Sequence, residues 1–167
     1  MESNYKEKLA DINAFIFDVD GVLTDGSLII SESGELLRTM NVKDGFAMKF
    51  AIDNGFKISI ISGGTNKAVK TRLINLGIEE IHLSSHKKIV PFNNFVNKYN
   101  LKPENILVMG DDIPDVPIIE AAGIGCCPQD AVPEVKAISD YISQKNGGKG
   151  CVRDVIEQVM KIQNKWI

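Results

Sequence analysis

The fold is decided by one short stretch, Phe15-Ile16-Phe17-Asp18-Val19-Asp20-Gly21-Val22-Leu23-Thr24-Asp25-Gly26. Its apolar start is typical of a buried strand, and the aspartates follow where that strand ends. A second stretch, Leu107-Val108-Met109-Gly110-Asp111-Asp112-Ile113-Pro114-Asp115, has the same arrangement. Ligands of open α/β sheets bind at the carboxyl ends of the strands. We therefore expect the acids of both stretches to meet at one site.

So many aspartates predict a metal ion. Carboxylates that share a small site repel one another unless a cation lies between them. Hard oxygen ligands favour Mg²⁺, which binds through one or two carboxylates and a substrate phosphate. Asp111 is the expected direct ligand, and Asp112 and Asp115 are either ligands or acceptors behind it. The alternative for Asp112 is capping of the helix that starts near Pro114.

Strands and helices alternate along the 167 residues, which predicts one α/β domain, residues 1–167, with a mainly parallel sheet covered on both faces. Residues 27–41 predict a β-hairpin flap and leave no room for a large cap domain. Residues 144–151 form a glycine-rich segment that we expect to be flexible; a plain loop before a helix is the alternative. Core strands are expected at 14–17, 57–61, 81–83, 106–109 and 124–126, with an edge strand at 141–142. Helices are expected at 44–53, 65–76, 87–99, 114–122, 132–137 and 152–161, with Asp44 and Thr65 as caps of the first two.

Composition narrows the class of protein. The net charge of −3 gives no reason to expect nucleic acid or a membrane as a partner. The first residues are polar, and no apolar run is long enough to span a bilayer, so we expect a cytoplasmic protein. Cys126, Cys127 and Cys151 lack zinc-site spacing; the adjacent pair is expected in a buried strand end, with a redox role as the alternative.

The Asp-x-Asp pair suits phosphoryl transfer. Asp18, at the end of its strand, can attack phosphorus and form an aspartyl phosphate. Asp20 can protonate the leaving oxygen and later deprotonate the attacking water. The alternative is that both residues only form a turn, because Asp and Gly are common in loops.

Two further elements suit an anionic phosphoryl group. Ser62 and Gly63 follow a strand and offer a hydroxyl and exposed backbone N–H groups. Lys88 opens a helix after the next strand and could neutralise a phosphoryl oxygen, although Lys87 competes for that role. An ordinary capped turn and a solvated surface lysine are the alternatives.

In chain order these elements are Asp-x-Asp, Ser, Lys and Asp-Asp-x-x-Asp, each after a separate strand. This order resembles the haloacid dehalogenase-like phosphotransferase superfamily, across Asp18 to Asp115. The resemblance implies a Rossmann-like three-layer fold and a Mg²⁺-dependent phosphomonoesterase. It makes Asp18 the nucleophile and Asp20 the general acid and base. It also implies that Asp18, the backbone carbonyl of Asp20, and Asp111 hold Mg²⁺, while Ser62 and Lys88 hold the phosphoryl group.

Three finer segments resemble the 3-deoxy-D-manno-octulosonate 8-phosphate phosphatase family, over about residues 12–159. They are Asp18–Gly26, Asn41-Val42-Lys43-Asp44-Gly45, and Gly147-Gly148-Lys149-Gly150-Cys151-Val152-Arg153-Asp154. Members are capless homotetramers assembled through their flaps, and they release phosphate from a sugar-acid phosphate made for lipopolysaccharide.

Candidate substrate contacts lie in the last two of these segments. Lys43, Lys149 and Arg153 could bind the carboxylate of a sugar acid, with Arg153 able to do so bidentately, and Asp44 lies in the same motif as Lys43. Ordinary surface charge is the alternative for the three basic residues.

The sequence departs from the family where it has Lys43 and Gly64, since members often have arginine at both. The substrate alternatives are therefore nine-carbon ulosonate 9-phosphates of the N-acylneuraminate or deaminated neuraminate type. Two non-enzyme alternatives are a phospho-accepting receiver-like domain and a silent scaffold. A receiver, however, carries its acidic pair before its phospho-accepting aspartate, and here the acidic pair comes last.

Overall fold

A computed structural model describes residues 4–167, which form a parallel six-stranded sheet between two layers of helices. In chain order the strands are β1 (Ala14–Phe17), β2 (Ile29–Ile30), β3 (Leu36–Leu37), β4 (Lys57–Ile61), β5 (Glu80–His82), β6 (Ile106–Met109), β7 (Ile124–Cys127) and β8 (Tyr141–Ile142). The α-helices are α1 (Tyr5–Lys8), α2 (Val42–Asp53), α3 (Lys67–Asn75), α4 (Ile89–Lys98), α5 (Val116–Ala121), α6 (Pro133–Ile138) and α7 (Cys151–Ile162). This architecture confirms the predicted three-layer α/β fold.

The main sheet has the order β5-β4-β1-β6-β7-β8. Its centre is β1, in which Phe17 lies between Ile60 of β4 and Met109 of β6. The chain first adds strands on one side of β1 and then continues on the other side from β6. A crevice opens at such a reversal, beyond the carboxyl ends of the strands. The two aspartate stretches follow β1 and β6, and they therefore flank this crevice.

Two apolar clusters hold the layers together. Phe15 and Phe17 pack with α2 and α7 on one face, and Ile16 and Val108 pack with α4, α5 and α6 on the other. Because both faces of the sheet are covered, its central strands are apolar throughout. The adjacent Cys126 and Cys127 are buried free thiols in β7, as expected.

The flap is a small antiparallel hairpin formed by β2 and β3, as predicted for residues 27–41. Its apolar side chains are exposed in the single chain. They are Leu28, Ile29, Ile30, Leu36 and Leu37, of which Ile30 is 73% exposed. A pair of two-residue strands is marginally stable in water by itself. The hairpin therefore needs contacts with the rest of the chain or with another molecule.

Two predicted helix caps are wrong. The cap of α2 is Asn41, whose side chain accepts from the backbone N–H of Lys43; Asp44 lies inside the first turn. The cap of α3 is Asn66, which accepts from the N–H of Val69, so that Thr65 lies before the helix. As a cap, asparagine is equivalent to aspartate and better than threonine, and at each helix the sequence offered two candidate caps within a few positions.

The glycine-rich segment 144–151 is hydrogen-bonded to other parts of the chain, and its flexibility stays a prediction. The N–H of Gly147 donates to Asp130 Oδ1 at 2.9 Å, and that of Gly148 donates to the carbonyl of Val22 at 2.9 Å. A Cβ on Gly147 would lie 1.9 Å from the carbonyl oxygen of Gly21. Here glycine permits close approach of two backbones.

Across residues 4–167, every helix is too short or too polar to cross a bilayer.

Candidate active site

A cleft of about 290 Å³ opens at the carboxyl ends of β1, β4 and β6. Its lining consists of Asp18, Asp20, Ser62, Gly63, Gly64, Ser85, His86, Lys88, Asp111, Asp112, Pro114 and Asp115. All eight residues predicted for catalysis, phosphate binding and metal binding are among them. The structure thus brings the four separate sequence motifs into one pocket.

Asp18 lies at the bottom of this cleft and is 7% exposed. Its Oδ1 lies 3.1 Å from Lys88 Nζ. The pKa of Asp18 is raised to about 7, mainly by burial and then by the charge of Asp115, against the opposing effect of the charge of Lys88. The negative charge of Asp18 is therefore costly here unless more positive charge is present.

Asp111 also has a raised pKa. Burial, followed by the charges of Asp18, Asp115 and Asp112, raises its pKa to about 8. Its Oδ1 is buried and has no hydrogen-bond partner among the described residues. An acceptor in this state needs a cation or a donor.

A divalent cation fits this arrangement. Carboxylate oxygens of Asp18, Asp111 and Asp115 lie within 4.8 Å of one another. Gly21 has a φ of +90° and packs so closely on Asp111 that a Cβ at this position would lie 2.0 Å from Oδ2. The turn after β1 therefore brings the backbone of the first motif against the acids of the second, as a shared metal site requires.

Asp115 is 1% exposed and already has partners for both oxygens. Lys88 Nζ lies 2.5 Å from its Oδ1, and the N–H groups of Asp111 and Asp112 donate to its Oδ2 at 3.0 and 3.3 Å. These contacts suit the predicted role of an acceptor behind the metal ligands. They fix both the loop after β6 and the ammonium group of Lys88.

Lys88, not Lys87, faces the cleft. Lys88 is 4% exposed at the start of α4, whereas Lys87 is exposed and is not part of the lining. Burial alone would lower the pKa of Lys88, but the charges of Asp18 and Asp115 raise it above its ordinary value. Lys88 therefore remains charged.

The loop after β4 contributes a hydroxyl and backbone groups. Ser62 is buried, its Oγ accepts from the N–H of Gly64 at 3.2 Å, and it lines the cleft together with Gly63. Asp112 is exposed and caps the single turn Ile113–Asp115, accepting from the N–H of Ile113 at 2.7 Å. The alternative role considered for Asp112, capping, is thus the observed one.

Asp20 has a partner that the sequence reasoning missed. Arg38, which follows β3 in the flap, donates from Nε to Oδ1 of Asp20 at 2.6 Å and from Nη2 to Oδ2 at 3.1 Å. The only available signal was an isolated arginine at the end of an apolar hairpin. Its distance of 18 positions from Asp20 gave no indication of the contact.

The four predicted substrate residues are absent from the lining of the cleft. Asp44 is 1% exposed, and its Oδ1 accepts from the N–H of Arg153 at 2.8 Å, so that it caps α7. Burial raises the pKa of Asp44, although this hydrogen bond lowers it. Within the single chain Asp44 therefore caps α7 and does not line the cleft, and its substrate role stays a prediction.

The three basic candidates lie outside the lining of the cleft as well. The guanidinium of Arg153 lies over the rings of Phe46 and Trp166, at 5.8 and 5.4 Å from their centroids, and near Glu157. Lys43 and Lys149 are exposed. Within the single chain these contacts place the guanidinium of Arg153 outside the cleft lining, and its substrate role stays a prediction.

Comparison with known proteins agrees with this chemistry. The sequence profile of the haloacid dehalogenase-like hydrolases matches residues 77–156. The chain is 34% identical to the 3-deoxy-D-manno-octulosonate 8-phosphate phosphatase KdsC of Escherichia coli over 158 residues, which is 95% of this chain and 84% of that protein.

Solved structures of similar proteins have the same fold. The crystal structure of 3-deoxy-D-manno-octulosonate 8-phosphate phosphatase from Moraxella catarrhalis, in complex with a magnesium ion, a phosphate ion and a KDO molecule, superposes with a TM-score of 0.93 at 31% identity. The match covers 98% of this chain and 94% of that one. The phosphatase from Yersinia pestis superposes with a TM-score of 0.95 at 29% identity, covering 98% and 88% of the two chains.

Proposed function

Because the chain belongs to the 3-deoxy-D-manno-octulosonate 8-phosphate phosphatase family, we propose that it hydrolyses that sugar-acid phosphate to the free sugar acid and phosphate. This reaction belongs to the synthesis of a lipopolysaccharide precursor. The observation that carries the proposal is the grouping of Asp18, Asp111 and Asp115 around one point beside Lys88. The enzyme is a phosphoric monoester hydrolase, and Mg²⁺ is its cofactor.

Asp18, the backbone carbonyl of Asp20, and Asp111 would hold the Mg²⁺. The bound ion supplies the positive charge that offsets the repulsion among the acids and the substrate phosphate. Asp115 would keep Lys88 and the loop after β6 in place. A cation there would favour the ionised form of Asp18, and the carboxylate is the form that can act as a nucleophile.

The reaction has two steps. In the first, a carboxylate oxygen of Asp18 bonds to phosphorus, the ester P–O bond breaks, and Asp20 gives its proton to the leaving sugar oxygen. In the second, Asp20 takes a proton from a water molecule, which attacks phosphorus and releases phosphate from Asp18. The hydroxyl of Ser62, the N–H of Gly63 and the ammonium of Lys88 bind the phosphoryl oxygens throughout.

The second candidate substrate class is nine-carbon ulosonate 9-phosphates. It is favoured by Gly64, because no side chain extends from this position of the lining where family members often have arginine. The receiver-like and scaffold alternatives are disfavoured, because the relative from E. coli is itself a phosphatase. We keep the cytoplasm as the predicted location.

We also propose that the protein is a homotetramer assembled through its flaps. The support is the exposed apolar surface of the hairpin, with Ile29 and Ile30 exposed by 59% and 73%. Burial of such side chains contributes roughly 1.5–3 kcal/mol each. A neighbouring chain would also cover the open cleft and could bring Lys43 or Lys149 to it.

The test is a comparison of kcat/KM for phosphorylated eight-carbon and nine-carbon ulosonates and neutral hexose phosphates, with Mg²⁺ and with EDTA. We expect the eight-carbon ester to be the best substrate and EDTA to abolish turnover. A preference for a hexose phosphate would refute the substrate, and full activity in EDTA would refute the metal.

A further inference from the structure

Arg38 of the flap makes a two-pronged contact with Asp20 that none of the roles assigned above uses. Its Nε and Nη2 donate to the two oxygens of the Asp20 carboxylate. The arginine side chain is 8% exposed, whereas that of Asp20 is 35% exposed toward the cleft. A buried planar fork of this kind fixes the rotation of a carboxylate, which a single point charge does not.

We propose that Arg38 is a positioning residue that orients Asp20 for proton transfer and thereby couples the flap to the chemistry. The inference rests on the proposed function, in which Asp20 is the general acid and base. The fork occupies one acceptor position on each oxygen. A carboxylate has about four such positions, so others stay free to carry the proton that passes to the leaving oxygen and to accept a proton from water.

The flap itself is anchored next to this pair. The carbonyl of Leu36 accepts from Arg38 Nη1 at 3.0 Å and from Asn66 Nδ2 at 2.9 Å. Asn66 also caps α3 through its Oδ1. The guanidinium is thus bonded to the backbone of β3, and the same carbonyl is bonded to the start of α3.

The lining leaves space for the pair. A Cβ at Gly64 would lie 3.4 Å from Asp20 Oδ2 and 3.5 Å from Arg38 Nη2. This is ordinary van der Waals contact, so position 64 lies directly beside the carboxylate and its arginine.

The test is the dependence of kcat/KM on the leaving group in a series of substituted phenyl phosphates. These esters lack the carboxylate of a sugar acid, so direct substrate binding by Arg38 does not enter. The leaving group of 4-nitrophenyl phosphate is the anion of an acidic phenol and departs without a proton. The leaving group of phenyl phosphate is more basic and needs a proton. A loss of Asp20 orientation must therefore act mainly on phenyl phosphate.

We expect Arg38→Met to lower kcat/KM for phenyl phosphate at least about tenfold more than for 4-nitrophenyl phosphate, part of the ~10²–10⁴-fold effect of general acid catalysis. Arg38→Lys should recover only a fraction of the kcat/KM that Arg38→Met loses for phenyl phosphate. Arg72→Met, the matched change on a neighbouring arginine of α3, should behave as wild type. Equal losses for all esters in Arg38→Met would overturn the inference, since a flap merely displaced would slow every ester alike.

Two further variants separate the possible causes. Asn66→Ser keeps a capping side chain but removes the donor to Leu36, so it loosens the flap and leaves the fork. We expect it to retain the wild-type dependence on the leaving group; a dependence like that of Arg38→Met would assign the effect to the flap and overturn the positioning role.

Asp20→Asn separates failure of this inference from failure of the proposed function. If Asp20→Asn lowers kcat/KM equally for phenyl phosphate and 4-nitrophenyl phosphate, the acid role of Asp20 is wrong, and with it the positioning role of Arg38. If Asp20→Asn shows a larger loss for phenyl phosphate and Arg38→Met does not, only the inference about Arg38 is wrong. The double variant should match Asp20→Asn, because a residue that acts only through Asp20 adds nothing once Asp20 is removed.

Discussion

At the scale of the residue, the site is a set of acids held together against their mutual repulsion. Asp18 and Asp111 both have raised pKa values because they are buried and face other carboxylates. Lys88 contacts Asp18 and Asp115. This single lysine leaves the cluster of acids short of positive charge. A bound Mg²⁺ would supply the missing positive charge.

We expect Asp18→Asn to abolish turnover of every phosphomonoester, because an amide oxygen is too weak a nucleophile to attack phosphorus. The fold should remain intact, since the change removes a charge that burial disfavours. Steady-state kinetics and circular dichroism measure the two effects. Asp25→Asn, an exposed aspartate of the same loop outside the cleft lining, is the control. Wild-type rates in Asp18→Asn would exclude it as nucleophile.

At the scale of the element, the start of α7 depends on a side chain from α2. Asp44 accepts the N–H of Arg153 from within the first turn of its own helix. Asn41 takes the capping position of α2 that the sequence assigned to Asp44. The short segment from Asn41 to Asp44 therefore caps two helices. Asn41 caps α2, and the carboxylate of Asp44 connects α2 to the start of α7.

We expect Asp44→Ala to lower the free energy of unfolding by about 1–2 kcal/mol, the usual effect of losing a cap. Asp44→Asn keeps the acceptor oxygen and should lose much less. Urea denaturation measures both. Asp53→Ala, at the exposed end of the same helix, removes only a surface ion pair with Lys49 and should change stability by about 0.5 kcal/mol or less. An equal loss in Asp53→Ala would show that the cap is not the cause.

At the scale of the whole molecule, metal binding, proton binding and assembly all act on stability. In metal-free protein the pKa values of Asp18 and Asp111 are about 7 and about 8, against 3.8 ordinarily. The folded state therefore binds these protons more tightly than the unfolded chain. The stabilisation is complete below about pH 4 and is lost as pH rises toward 8.

We expect this contribution to lower the Tm of the protein in EDTA as the pH rises from about 4 to about 8, and the rise of Tm caused by Mg²⁺ to grow over the same range. The reason is that Mg²⁺ binds the deprotonated acids. Calorimetry at several pH values, with Asp18→Asn as the comparison, measures it. A Mg²⁺ effect that shrinks toward high pH would contradict the metal site.

We expect light scattering to show a tetramer for the wild type and smaller species for Ile30→Asp. A charge in the apolar flap surface would lose its hydration if a partner covered it. Ile74→Asp, on an isoleucine of α3 that is 54% exposed, should leave the mass unchanged. A wild-type monomer, or an unchanged mass for Ile30→Asp, would refute assembly through the flap.

The sequence by itself determined the alternation of strands and helices, the strand ends after which the acids stand, and hence Asp18, Asp20, Ser62, Lys88 and Asp111 as one site. These are local properties, because apolar runs and turn residues specify each strand and its end. Only the tertiary structure decided which side chains meet across the chain. Arg38 pairs with Asp20, Asp44 caps α7, and Arg153 lies against Phe46 and Trp166. Such partners depend on how flap, helices and sheet pack, and a charged residue looks the same in sequence whether it faces solvent, a helix end or another acid.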